Sequence, residues 1–281
     1  MALAATTCAD ARTKRCMLLP VSVGIPRKTT YLMQRCLVSA FAVAFPLFFS
    51  ASAEAVLFND GAIHTIDAAH SFPGDIVRVE DGPGNATTTV NIVPGGLVGD
   101  VVEAVDSSRV NISGGIVQGG YLTFNEYAVL NMTGGTITGS LFLFSDHPSS
   151  ISGGELLGST TYIEANTQLD VTGGQFQHDL QVQNFASLFI RGGTLNGDLR
   201  ALDFSTTRIF GSGFNFPLGD VSATSGVLTG TLADGTPLDV DFSRASLARI
   251  TLTLIPEPAT APLIWGGLVA LGIRRRRTRS C

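Results

Sequence analysis

Residues 111–122 read NISGGIVQGGYL and residues 131–142 read NMTGGTITGSLF, and the phrase returns as ISGGELLGS at 151–159 and IRGGTLNGDL at 190–199. The paired glycines are Gly95-Gly96, Gly114-Gly115, Gly134-Gly135, Gly153-Gly154, Gly173-Gly174 and Gly192-Gly193, with a degenerate copy at Gly211-Ser212-Gly213. Successive pairs stand 19 or 20 residues apart. A fixed period of this length marks a repeat architecture, in which one small unit stacks on the next.

Within each unit the positions have separate tasks. Two residues before the pair stands an apolar side chain: Val93, Ile112, Met132, Ile151, Val171 or Ile190. Two residues after it stands another: Val98, Val117, Ile137, Leu156, Phe176 or Leu195. Later in the unit Leu141 and Leu143, or Leu180 and Val182, are two apart. Period-two apolar spacing in short segments, broken by glycine, reads as strands joined by tight bends. Glycine suits such bends because it reaches left-handed dihedrals without steric cost, and because a Cβ there would meet the turn stacked beside it. The expected fold is all-β: a parallel β-helix, or solenoid, of about seven coils over residues 91–220. Its rungs would be spaced about 4.7–4.9 Å. The competing architecture is an antiparallel sandwich or barrel with a hairpin every ten residues or so.

The flanks break the pattern. Residues 56–90 lack glycine pairs and are expected to form an N-terminal cap of strands and turns. Residues 221–255 read as a C-terminal β cap. Gly226–Leu232 and Pro237–Phe242 flank Asp234-Gly235, a strong hairpin signal. Leu247–Leu254 would add a third strand.

Composition narrows the functional classes. The chain has 281 residues, 32 of them glycine, and only 15% are charged. Residues 56–255 hold 7 Arg, no Lys and 20 Asp plus Glu, a balance of −13. A Lys-free acidic body does not suit a phosphate backbone, so nucleic acid is not an expected partner. The cysteines, Cys8, Cys16, Cys36 and Cys281, all lie outside that body, which therefore has no disulfide framework and no thiolate metal site.

Residues 1–55 read as a leader and signal peptide. Arg35 precedes the apolar run Cys36–Phe49, and Ala51-Ser52-Ala53 and Ala53-Glu54-Ala55 supply small-residue cleavage patterns. Translation is expected to start at Met33, since the basic stretch before it has no clear period. Residues 256–281 hold Pro256-Glu257-Pro258-Ala259-Thr260, an apolar run to Ile273, and the cluster Arg274, Arg275, Arg276 and Arg277. As a helix, Ala259–Ile273 would span roughly 22 Å, short of the ~30 Å hydrocarbon core. The cluster would remain cytoplasmic. These three ordered elements resemble the PEP-CTERM sorting signal of Gram-negative bacteria. The resemblance implies a transmembrane sorting helix recognised and removed by a membrane processing enzyme, an exosortase. It also implies association with exopolysaccharide and biofilm. The Gly230–Leu238 segment, GTLADGTPL, resembles exported bacterial proteins with the same tail.

Catalytic patterns are sparse. His64, His70, His147 and His178 show no zinc spacing, and no metal or cofactor is expected. Asp239 and Asp241 share a strand face but are too few for a calcium ion. The best enzymatic pattern is Asp179 and Asp198, which hold the same repeat position and would stack as the two carboxylates a glycosidase needs. Ice binding would need a flat threonine array, whereas the row after the glycine pairs runs Ile116, Thr136, Glu155, Gln175, Thr194. The expected protein is a non-enzymatic, structural or adhesive solenoid. It would be exported, transiently anchored by its tail, and released to the cell surface or exopolysaccharide matrix. A polysaccharide lyase or hydrolase is the alternative, and an ice-binding solenoid the remote one.

Overall fold

A computed structural model describes residues 55–255. They contain strands, turns and bends but no helix, and they wind into a parallel β-solenoid of about eight turns. From Ala55 to Ile209 the ladders are parallel, so neither sandwich nor barrel is built. The leader and signal segment, except Ala55, and the sorting residues Pro256–Thr260 and Arg274–Arg277 lie outside the described residues. Among the described residues no helix is long and apolar enough to cross a membrane.

Each turn has three faces. In the turn that starts at Val129, the strand Val129–Ile137 bends at Gly134-Gly135, and Ser140–Ser145 then forms the third face. Leu130, Met132, Ile137, Leu141 and Leu143 point inward and are fully buried. Each such side chain contributes about 1.5–3 kcal/mol by leaving water. The next turn repeats the arrangement in register, pairing Met132 with Ile151 and Ile137 with Leu156. Alternation inside a strand thus becomes a continuous core when turns stack.

The glycine pairs form the first corner. Gly135 has φ +83°, and a Cβ on it would lie 2.6 Å from the Gly114 carbonyl oxygen of the turn before. On Gly134 a Cβ would lie 2.7 Å from the Ser113 oxygen. Both halves of the pair are therefore needed, one for its dihedral and both for the close approach of backbone. From Gly114 onward the left-handed member is the second one, at Gly115, Gly135, Gly154, Gly174 and Gly193, whereas in Gly95-Gly96 it is the first. The third corner instead places non-glycine residues in the left-handed region: Asp106, Glu126, Ala165, Asn184 and Asp203.

Residues 55–92 join the stack. Ala55–Phe58 pairs in parallel with Ile76–Val79, and Ile63–Ile66 with Thr89–Ile92. These pair onward with Leu97–Ala104 and Arg109–Glu126. That is why the turns number about eight where the glycine pairs alone suggest seven. At the other end, Ser225–Leu232 and Pro237–Arg244 form the expected antiparallel hairpin. The strand Arg249–Leu254 does not extend that hairpin. It pairs in parallel with Thr206–Ser212 and continues the first face, because its inward residues Ile250 and Leu252 meet Thr207 and Ile209.

Candidate functional site

Asp179 and Asp198 stand on the outer third face one turn apart, as the repeat position demands. The Asp198 N–H donates to Asp179 Oδ1 at 3.1 Å. Arg200 Nη2 lies 2.8 Å from Asp179 Oδ2 and 3.2 Å from Asp198 Oδ2. A glycosidase holds its carboxylates on either side of a sugar. Here a guanidinium occupies the space between them. Such a bridge offsets the repulsion that stacked like charges create along a ladder.

The other outer rows also satisfy themselves. Asn111 donates to Asn91 at 2.8 Å, Asn131 to Asn111 at 3.0 Å, and the Ser150 hydroxyl to Asn131 at 3.1 Å. Arg191 pairs with Asp170 and lies over the ring of Phe210, 4.5 Å from its centroid. Ile116, Thr136, Glu155, Gln175 and Thr194 fall in one register-matched row of mixed chemistry. His64 contacts Asp60 at 2.8 Å and His70 contacts Asp67 at 3.0 Å. The His64 bond, followed by the Ala62 N–H, holds the Asp60 carboxyl below the usual carboxylate range. The His70 side chain and then its backbone N–H do the same for Asp67. Among the described residues no three His, Cys, Asp or Glu side chains converge as metal ligands.

A cleft of about 270 Å³ opens at the third corner, lined by Asp81, Asn85, Asp106, Glu126 and Tyr127 among others. Asp81 accepts the Ser107 N–H at 3.2 Å through Oδ2. Aromatic side chains also gather on and beside this corner. Phe142 and Tyr162 stack in adjacent turns with centroids 4.9 Å apart and planes 1° from parallel. Phe185 and Phe204 stack at 5.4 Å and 10°. Repeat reading centred on glycine passes these over. For the rings on the corner itself the signal is a polar–aromatic–small triplet, Glu126-Tyr127-Ala128, Asn184-Phe185-Ala186 and Asp203-Phe204-Ser205.

No family model, curated protein or solved structure matches the chain.

Proposed function

We propose that the chain is an exported structural or adhesive solenoid of the cell surface or exopolysaccharide matrix, sorted and trimmed through residues 256–281. The observation that carries this reading is a combination. A stack whose outer polar side chains mostly pair with one another from turn to turn, the Asp179–Asp198 pair included, is joined to an ordered Pro-Glu-Pro, apolar and Arg-cluster tail. A rod of this kind contributes stiffness and repeated surface, with no reacting group required. The proposed partners are a membrane processing enzyme of the exosortase type and matrix glycan.

The test follows the chain in cells. Removal of the processing enzyme, or Glu257→Ala in the tail, should leave a longer chain in the membrane fraction. Unchanged size and unchanged surface delivery would overturn the sorting reading. A carbohydrate-active solenoid is the second reading, favoured by the adjacency of Asp179 and Asp198. Incubation with neutral and acidic polysaccharides should give no turnover. Turnover that is lost on Asp179→Ala would replace the structural reading with the enzymatic one.

A further inference from the structure

The third corner carries a column of exposed apolar side chains. The residue after the left-handed one projects outward as Tyr127, Phe185 and Phe204, exposed by 48, 63 and 55%. The three places are equivalent in the backbone. Their N–H groups donate to the carbonyls of Asp106, Ala165 and Asn184 one turn earlier, each at 3.0 Å. Leu247, 59% exposed, holds the same place on the last turn, since Ala248 N–H closes onto Ala245 as Ser205 N–H closes onto Leu202. Single exposed apolar residues are ordinary, but Phe185, Phe204 and Leu247 follow on successive turns, and such a run is the kind of surface that marks a binding site.

Polar groups interleave with this ridge. Tyr127 and His147 have ring centroids 5.2 Å apart, and the Phe185–Phe204 pair follows two turns on. Between them Asn166 Nδ2 donates to Asp146 Oδ1 at 3.1 Å. Beside the phenylalanines Asp203 accepts the Asn184 N–H at 3.3 Å.

We propose that this ridge is the contact line for an uncharged polysaccharide chain, a proposal that rests on the matrix reading above and gives it a ligand class and a place. Sugars have apolar C–H faces that cover phenyl groups and hydroxyls that reach carboxylates and amides, which is the alternation the corner presents. From Tyr127 to Phe204 the column rises four rungs, roughly 19 Å, a length that a few linked sugars span. The carboxylates at Asp106, Glu126, Asp146 and Asp203 disfavour a polyanion along the same line. A second copy of the chain is a poorer fit. Three side chains at Phe185, Phe204 and Leu247 offer roughly 300 Å², well below the ~800 Å² per partner of a stable protein interface. Weak contacts repeated along a polymer and a rod add through effective concentration.

The test is the mobility of the purified chain in native gels containing hydroxyethyl cellulose, laminarin or galactomannan, with alginate as the polyanion. At least one neutral glycan should retard the chain and alginate should not. The double variant Phe185→Ala/Phe204→Ala should weaken retardation at least tenfold. Ile63→Ala, an exposed apolar residue away from the ridge, should leave it unchanged. Circular dichroism checks that each variant keeps the strand signal. No retardation by any neutral glycan, retardation by alginate, or equal retardation of the double variant would overturn the proposal. So would a dimer in light scattering that the double variant makes monomeric without any change in glycan retardation. The sorting reading is judged separately: a chain that binds here but keeps its tail in cells loses that reading alone.

Discussion

The first and last described turns of the solenoid are built differently. At the first turn Ala55–Phe58 and Ile63–Ile66 each pair on one side only among the described residues. Their inward row holds His64, in register with buried Val90. His64 is kept there by Asp60 and by the ring of Phe58, whose centroid is 4.5 Å away. At the last turn the chain reverses direction. The 225–244 hairpin runs antiparallel, its second strand still pairs in parallel with Leu199–Ala201, and Gly219–Asp220 lies antiparallel against Arg249–Leu254. A parallel ladder ends on open donors and acceptors, which invite another strand. A reversed segment covers them with backbone, whereas a polar plug covers only the core.

The largest effect should come from breaking the part both ends depend on. Gly135→Val places a branched side chain at φ +83° against backbone of the previous turn. A loss on the order of 4 kcal/mol is expected from strain and overpacking together, read as a lower urea midpoint. At the C-terminal end Arg244 donates to the carbonyls of Ala223, Ser222 and Ala248 at 2.9–3.0 Å. Arg244→Ala should cost about 2 kcal/mol and speed hydrogen exchange in the hairpin ahead of the rest. Asp234 ties the hairpin turn to the repeats by accepting N–H bonds from Gly193 at 2.9 Å and Thr236 at 2.8 Å. For Asp234→Ala about 1 kcal/mol is expected, and a thermal scan showing no shift would deny that tie.

The first turn should answer to acid instead. Asp60 and Asp67 are both held below the ordinary carboxylate range. Their contribution is complete above the ordinary aspartate value of about 3.9 and is lost as pH falls through their lowered folded values. Amide exchange between pH 5 and pH 3 should therefore loosen residues 55–67 before the glycine-paired turns; simultaneous loosening would remove the distinction between the ends. The smallest effect concerns processing. Ala55 pairs with Ile76, so a signal that ends at Ala55, as residues 1–55 read, would take only the first residue of the strand Ala55–Phe58 with it. On the proposed export route, mass spectrometry of the processed chain should find Val56 at its start.

The glycine-paired turns are legible in sequence because the first corner can be built by one residue type only. The turns at 55–92 are built on the same alternation, such as Ile76–Val79, but bend at single glycines, Gly61 and Gly74, which keep no period. The third corner was hidden for a related reason. Asp, Glu, Asn and Ala all take the left-handed place there, so no letter recurs. The stacking of Asp179 on Asp198 could be read from their spacing. The guanidinium between them could not, because the row of Arg200 carries Glu103, Thr123, Phe142, Tyr162 and Gln181 before an arginine, Arg78, returns near the first turn, and Arg200 reaches both carboxylates only once the faces are stacked. The exposed ring column follows from the same hidden corner, since its members are defined by the residue that precedes them.

Rungs in the paired region touch only the storeys directly above and below. Excising residues 168–186 would join Thr167 to Ser187, whose side chains sit where Ala186 and Gln168 point them. One layer would vanish from every wall, and the remaining rungs would meet in the same register, with the Arg191–Asp170 and Arg200–Asp179 pairs lost. Length in such a molecule is a free parameter: genes can add or drop storeys and so set how far one terminus stands from the other, without redesigning either closure.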